Sequence, residues 1–477
     1  MKKKKKILIT GVFNVLHPGH LQLFRFAKRY ADDLYVGVLS DKYSNQKIYL
    51  DEKLRLEALR NNTLVTKSFI INSDIKKLIN KLRPEYVAKG KEFEDRFNPE
   101  KEALEKYGGK IIFNSGVSIL SGSDLVKKEM ESAGKNVIFP NDYLLRHNIN
   151  NLGIKKILNK FSKLNICIFG DLIVDEYIAS QPLGMSREDP TIVVSPISKK
   201  KFIGGSGIVA CHAANLNANV NYLTVSGDDE QRDFAIKNLN KFKVKHFIPI
   251  DKTRPTTFKQ RYRVKQKTLF KVSDLGFHSV DEKIIKKVKR KLNSIISKSS
   301  IDLIIFSDFN YGFLTTDLIN YITGIAREKK IKIIADCQTS SQYGNILKYN
   351  FTNLITPTET EARVSLHDYE SGIVDLIHKM QKESKFENVF LKLGNDGFIV
   401  QNNNENTFHT DKIEALNYNP VDAAGAGDSL LTFAGMAIAS GASIWEAAYL
   451  GALAASVQVS RLGNVPISKD DILKNLA

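Results

Sequence analysis

The chain has 477 residues, 43% hydrophobic and 26% charged, a globular mix that excludes a wholly disordered protein and suggests two or three domains at ~150 residues each. Cys167, Cys211 and Cys337 are too few and too far apart for a disulfide framework or a four-cysteine zinc site, and they suit a reducing cytoplasm. The 70 basic and 52 acidic residues give a net charge of +18, but residues 1–150 hold 28 and 18 of them and the rest 42 and 34, so the excess is spread along the chain.

A dedicated nucleic-acid surface concentrates its charge beside a reading motif. No zinc-finger, RNA-recognition or heptad pattern is present, so no nucleic-acid partner is expected. Lys2 to Lys6 followed by Ile7-Leu8-Ile9 imitates a secretory signal, but Gly11, Asn14, His17 and Pro18 break the apolar run. The most apolar stretch, Leu430 to Val459, contains Glu446 and Gln458 and reads as two buried helices punctuated near Ser440-Gly441. No membrane span is expected, and the location expected is cytoplasmic.

In chain order, Ile7–Thr10, Leu34–Leu39, Lys67–Ile71, Tyr86–Lys89 and Lys110–Asn114 read as strands. Leu21–Tyr30, Glu52–Asn61 and Ile75–Leu82 between them read as helices. This alternation predicts a parallel sheet covered by helices. The polar stretch around Phe139-Pro140-Asn141-Asp142 and Asn148 to Asn151 reads as a linker, residues 141–152, between a first domain of residues 1–140 and a second of 153–477. Ile154 to Leu164 reads as a basic amphipathic helix. Ile166–Phe169 opens a second alternating series, continued by Leu303–Ser307, Lys332–Asp336, Asn353–Thr356 and Val389–Leu393.

Thr10-Gly11-Val12-Phe13-Asn14-Val15-Leu16-His17-Pro18-Gly19-His20 follows the first strand and opens a helix. A helix N-terminus offers unpaired N–H groups to phosphate, and His17 and His20, three apart, can face one pocket. The run resembles the G-x-F-D-x-x-H-x-G-H motif of cytidylyltransferase-like nucleotidyltransferases. The resemblance implies nucleotide contacts at Gly11, Phe13, Asn14, Asp41 (in Ser40-Asp41), Lys89 (in Val87-Ala88-Lys89-Gly90), and Ser121 and Ser123 (in Ser121-Gly122-Ser123-Asp124-Leu125-Val126). It makes His17 and His20 the catalytic pair that stabilises charge on the attacked phosphorus and the leaving pyrophosphate. Asn14 stands where the family usually has Asp.

Asn419-Pro420-Val421-Asp422-Ala423-Ala424-Gly425-Ala426-Gly427-Asp428-Ser429 precedes the long apolar helix, so Gly425, Ala426 and Gly427 offer successive N–H groups at its start. Asp428 is placed to take a proton from a hydroxyl attacking the γ-phosphorus. This run resembles the D-T-x-G-A-G-D motif of ribokinase-like sugar kinases. Phe169-Gly170-Asp171-Leu172-Ile173-Val174-Asp175 resembles the family's opening segment, with Asp175 on sugar hydroxyls, and Gly204-Gly205 its glycine pair. Leu391-Lys392-Leu393-Gly394-Asn395-Asp396-Gly397 resembles its nucleotide strand and turn, which implicates Lys392, Gly394 and Gly397. Thr356-Pro357-Thr358-Glu359-Thr360-Glu361 resembles N-x-x-E, with Glu361 ordering Mg²⁺, and Ser460-Arg461-Leu462-Gly463 resembles the segment flanking the adenine pocket.

Within that superfamily the chain is similar to the heptose-phosphate kinase module of the ADP-heptose synthase family, through Ser186-Arg187-Glu188-Asp189-Pro190, Ser307-Asp308-Phe309 and Pro255-Thr256-Thr257-Phe258-Lys259-Gln260-Arg261. The last of these implies Lys259 and Arg261 as substrate-binding residues. That family also carries an adenylyltransferase module, normally after the kinase; here the order is reversed. Departures from the family's pattern are expected to cluster around the sugar, at Ile208, His212, Tyr311, Gln338 and Thr358. Tyr311 and Gln338 replace lysines that could pair with a sugar phosphate.

The resemblance therefore implies an α/β protein with an N-terminal Rossmann-like nucleotidyltransferase domain and a C-terminal ribokinase-like domain. Its substrates would be a sugar phosphate and ATP with Mg²⁺, and its product an ADP-sugar. CTP in the transferase, another sugar or polyol in the kinase, or one degenerate regulatory domain are the alternatives. A homodimer is compatible with all of these.

Overall fold

Ile7, Leu8 and Ile9 have almost no exposed surface because β1 (Lys6–Gly11) is the central strand of a parallel sheet. The structure, a computed structural model, describes residues 4–16, 18–43, 48, 50–90, 98–114, 139–265, 267–276, 278–339, 344–402 and 410–476. It divides the chain into two units, Met1–Lys135 and Asn136–Ala477.

In the first unit, β2 (Asp33–Leu39), β3 (Lys67–Ile71), β4 (Tyr86–Gly90) and β5 (Lys110–Asn114) complete a sheet of order β3-β2-β1-β4-β5, parallel throughout. Ile7 and Ile9 pack with Phe24, Val36, Val38 and Leu59 in one layer, and Leu8 packs with Ile79, Val87 and Leu104 in the other. Helices Glu52–Arg60 and Ile75–Leu82 start where the side chains of Asp51 and Asp74 accept from the N–H groups of Lys53 and Lys76. Strand order reverses between β1 and β4. The crevice of this doubly wound sheet therefore lies beyond their carboxyl ends, at Gly11 and Gly90.

The second unit has a nine-stranded sheet of order β10-β9-β6-β13-β14-β15-β16-β17-β18. These strands are β6 (Asn165–Gly170), β9 (Asn219–Leu223), β10 (Lys245–Phe247), β13 (Leu303–Asp308), β14 (Lys332–Cys337), β15 (Leu354–Ile355), β16 (Asn388–Lys392), β17 (Phe398–Asn402) and β18 (Thr410–Ile413). Pairing is parallel from β10 to β16 and antiparallel for β17 and β18. The order reverses between β6 and β13. Charged groups gather at the carboxyl ends, with Asp171 just after β6, Asp308 ending β13, Asp336 near the end of β14 and Lys392 ending β16. Helices Ala426–Ala439 and Ile444–Val459 are buried along most of their length, and a Cβ at Gly435 would collide with Ile334 of the sheet.

A second sheet, of order β12-β11-β7-β8, stands apart in this unit. It is built from the long hairpin β7 (Leu172–Met185) and β8 (Ile192–Gly205) with β11 (Thr257–Val264) and β12 (Lys267–Asp274).

Residues 141–152, expected as a linker, are instead part of the second unit. Asn141–Arg146 and Asn151–Lys160 are helices, and Tyr143, Ile149, Ile154 and Leu158 join its core. The Tyr143 hydroxyl donates to the Trp445 carbonyl at 3.1 Å, and Arg146 and His147 both bond Asp411. The polar residues that suggested a linker are caps and turn residues between these apolar anchors; Asn150, for example, accepts from the Gly153 N–H. Among the described residues no helix is long and apolar enough to cross a membrane.

Candidate active sites

In the first unit, Phe13 follows β1 with φ +54°, a conformation unfavourable for a residue with a Cβ. Its ring is held in the core, 4.9 Å between centroids from His20 and 6.1 Å from Phe24. Gly11 and His20 thus lie against the Phe13 ring, and Asn14 next in the chain is buried. His17, Ser121 and Ser123 lie outside the described residues.

Asp41 and Lys89 are engaged within the protein. Asp41 pairs with Arg55, and the Lys89 ammonium lies 2.8 Å from both Glu100 and the Asn98 side-chain oxygen. Arg55, which the sequence reading passed over, is wholly buried. It donates to the carbonyls of Val12 (2.6 Å), Leu39 (3.0 Å) and Leu50 (2.8 Å), tying the loop after β1 to the end of β2. Its spacing four residues before Leu59, on the buried face of its helix, was the available signal.

In the second unit two cavities, ≈ 460 and ≈ 420 Å³, share Gln338, Ala423 and Gly427 in their walls. Helix Ala426–Ala439 begins there, with Gly425 at φ +78° as its cap. A Cβ on Gly425 would collide with the Asn464 side chain. Asp428 sits in the first turn, facing the larger cavity, and its buried Oδ1 has no hydrogen-bond partner among the described residues. Burial pushes its carboxyl up to about 7, helped by the charge of Asp336 and opposed by Lys392.

Asp175 of β7 faces the same cavity, 3.2 Å from Arg261 and 3.3 Å from the Asn464 amide. Gly204 is required beside it, because a Cβ there would strike the Asp175 carboxylate. Gly205 and Lys259 also line this cavity. Asn464 and Lys271 line it too and were not singled out from the sequence.

Lys392, Gly394, Gly397, Ala426 and Glu361 line the smaller cavity, whose far wall is apolar, with Leu416, Leu430 and Ala452. Lys392 pairs with Asp336 at 2.8 Å and lies next to Gly427. The Glu361 carboxylate accepts from the N–H groups of Thr339 (3.1 Å) and Thr358 (2.7 Å), closing a capping box. No group of three metal-ligating side chains occurs among the described residues.

Several departures read as sugar-facing lie elsewhere. Ile208 and His212 are wholly buried in a helix of the core and line neither cavity. The His212 Nδ1 accepts from the Ile467 N–H, and burial, with the charge of Arg461, pushes the ring down to about 3. Tyr311 is also core, stacked with Phe309. Of the five, only Gln338 lines the substrate cavity, and Thr358 lines the smaller one. Ser460–Gly463 do not line the apolar cavity; instead the Gly463 N–H donates to Asp422 at 3.1 Å.

Comparison with known proteins agrees with this geometry. Residues 8–119 match the Cytidylyltransferase-like family model, and residues 163–470 match that of the pfkB family carbohydrate kinases. Curated relatives include the "Bifunctional protein HldE" of Sulfurimonas denitrificans, 27% identical over 322 residues, and that of Aliarcobacter butzleri, 27% identical over 315. The matches span 66% and 65% of this chain and 65% and 64% of those proteins, less than two thirds of the relatives' own length. Among solved structures, Escherichia coli phosphofructokinase-2 superposes with a TM-score of 0.54 at 17% identity, over 65% of this chain and 97% of that one. Arabidopsis thaliana ribokinase gives 0.51 at 16%, over 65% and 98%. These two likenesses speak for the fold of the second unit. With the family match covering well over half its length, the chain belongs to the pfkB family of carbohydrate kinases and carries a cytidylyltransferase-like unit before the kinase.

Proposed function

We propose that the chain is a bifunctional enzyme of nucleotide-sugar synthesis. The second unit phosphorylates a sugar phosphate, a heptose 7-phosphate by its likeness to the HldE proteins, at the anomeric hydroxyl with ATP. The first unit transfers AMP from ATP to a sugar 1-phosphate, giving an ADP-sugar and pyrophosphate.

The observation that carries the kinase reading is the pair of cavities meeting at the Gly425–Gly427 turn, with the unpartnered Asp428 oxygen on the polar side. ATP lies in the smaller cavity with its base against Leu416, Leu430 and Ala452. Its γ-phosphate reaches the helix N-terminus beside Lys392. Asp175 and Asn464 hold sugar hydroxyls, and Asp428 takes the proton of the attacking one. A carboxyl near 7 is well matched to that transfer.

Glu361, which lines the smaller cavity with Glu414, suits Mg²⁺, an ion that keeps several waters and binds mainly through substrate phosphates. When bound, the ion neutralises charge on the transferring phosphoryl group, and Glu361 holds its waters.

In the first unit, Gly11, Phe13 and Asn14 shape the crevice for the triphosphate. His17 and His20 stabilise the charge passing to pyrophosphate.

Mass spectrometry of products from a panel of sugar phosphates with ATP or CTP tests this. An anomeric phosphate and an ADP-sugar are expected; a CDP product would reassign the transferase, and no phosphorylated sugar at all would overturn the kinase reading.

A further inference from the structure

Asp171 follows β6 and Asp308 ends β13, both almost without exposed surface. Between them they accept from the backbone N–H of each of the three residues after β13. The Asp171 carboxylate takes those of Phe309 (2.8 Å) and Tyr311 (3.3 Å), and the Asp308 carboxylate takes that of Asn310 (2.8 Å). Asn310 is thereby held at φ +61°, a left-handed conformation that asparagine tolerates better than most residues with a Cβ.

Two buried carboxylates side by side need compensation. Among the described residues one ion pair reaches them: the Lys348 ammonium lies 2.5 Å from Asp308, whose same oxygen accepts from the Tyr349 hydroxyl at 2.6 Å. Burial and the charge of Asp308 push the Asp171 carboxyl up to about 7, and Lys348 opposes that shift. Burial lowers a lysine's pKa, but here the charge of Asp308 helps to hold the ammonium above its ordinary value. Lys348 stands on a short turn, Ile346–Lys348, anchored by buried Ile346 and Tyr349 on either side and by the Ile346 N–H, which donates to the Ser365 hydroxyl at 3.1 Å. It lines neither cavity.

The same ammonium donates to Asn310 Oδ1 at 3.3 Å. An amide has one accepting and one donating end, so a cation on its oxygen selects the orientation that turns its nitrogen the other way. There the Gln338 carbonyl accepts from Asn310 Nδ2 at 2.6 Å. The Gln338 N–H donates to the Asp308 carbonyl at 2.8 Å, and the next N–H, that of Thr339, donates to Glu361 at 3.1 Å. Gln338 lines both cavities. A cation outside both sites thus fixes, through one amide, the segment where they meet.

We infer that Lys348 is a positioning residue of the kinase reaction: by orienting the Asn310 amide it holds the Gln338–Thr339 segment, between the acceptor and nucleotide cavities, in the geometry that phosphoryl transfer needs. This rests on the sugar-kinase reading above and adds a residue that lies outside both cavities.

The test is initial-rate kinase kinetics of the full chain and its Lys348→Met, Lys348→Arg, Asn310→Gly and Lys348→Met/Asn310→Gly variants, with ATP and heptose 7-phosphate or whichever sugar phosphate the product panel identifies. Asn310→Gly removes the amide, suits the left-handed backbone and leaves the Lys348–Asp308 pair in place, so it tests the role even if Lys348→Met unfolds. Thermal unfolding of each variant checks that it folds. Lys348→Met and Asn310→Gly are each expected to lower kcat about 10- to 100-fold with both KM values within about threefold, the scale of a small misplacement at the reacting centre. The double variant is expected to be no slower than the slower single one, because both changes act through one amide. Lys348→Arg is expected to recover most of the loss. Parental kcat in Asn310→Gly, or losses that multiply in the double variant, would overturn the positioning role and leave the kinase reading standing. A parent protein that phosphorylates no sugar phosphate would overturn both.

Discussion

Lys392 and Asp336 form a 2.8 Å ion pair at the carboxyl ends of β16 and β14, both side chains almost out of solvent. Burial alone lowers a lysine's pKa, but the charges of Asp336 and Glu361 outweigh it and hold this ammonium above its ordinary value. It therefore stays charged beside Gly427, where a transferring phosphoryl group would pass.

Lys392→Met leaves Asp336 buried without its counter-charge, and breaking such a pair costs ~3–5 kcal/mol. The expected outcome is a lower unfolding midpoint in denaturant and a kinase kcat reduced at least ~100-fold, the scale for losing a preorganised charge. Adding Asp336→Asn is expected to recover stability but not activity. Recovery of both would remove Lys392 from the phosphoryl-transfer site.

Asp428 makes the kinase pH-dependent. With its carboxyl raised to about 7, kcat is expected to climb with pH through that value as the base form appears. The stability effect has the opposite sense. Between an unfolded value near 4 and the folded value near 7 the native state binds the extra proton, so this residue's contribution falls as pH rises across that window. Asp428→Asn should therefore abolish the pH-dependent limb and lower kcat by ~10³ or more, while raising the melting temperature at pH 8 and leaving it nearly unchanged at pH 4. Calorimetry at the two pH values, beside a pH–rate profile, checks both halves.

Arg55 carries the equivalent burden in the first unit. Arg55→Met strips donors from the buried carbonyls of Val12, Leu39 and Leu50 and releases Asp41. With each unsatisfied group costing ~1–3 kcal/mol, the first unit should melt several degrees lower. Pyrophosphate release should fall with it, while kinase turnover persists.

Much of this was legible in the amino-acid order. Lys67–Ile71 and Lys110–Asn114 form strands with the bounds expected, because short runs rich in isoleucine and phenylalanine between helical patterns mark strands even at the edges of the sheet. The break at Ser440-Gly441 and the Gly-Ala-Gly-Asp turn were equally plain, since helix caps have local chemistry.

The small sheet was harder to read. Its strand β7 is buried through Ile178 and mostly exposed after it, so no single period describes it. Lys271 was invisible among 70 basic residues until the ladder placed it opposite Arg261. Ile208 and His212 were misplaced for a related reason. Their places in the family's pattern after the Gly204-Gly205 pair suggested the sugar, but the helix that begins at Ser206 turns their side chains into the core.

The central claim is that one chain holds two chemically separate phosphate-transfer sites. Its most direct test is a paired assay of the parent protein, Asp428→Asn and His20→Ala, reading heptose bisphosphate made from heptose 7-phosphate and ATP, and pyrophosphate released from heptose 1-phosphate and ATP. The account predicts that the parent performs both reactions, that Asp428→Asn loses only the first, and that His20→Ala loses only the second. A parent protein that performs neither reaction, or a bisphosphate yield that survives Asp428→Asn, would contradict it.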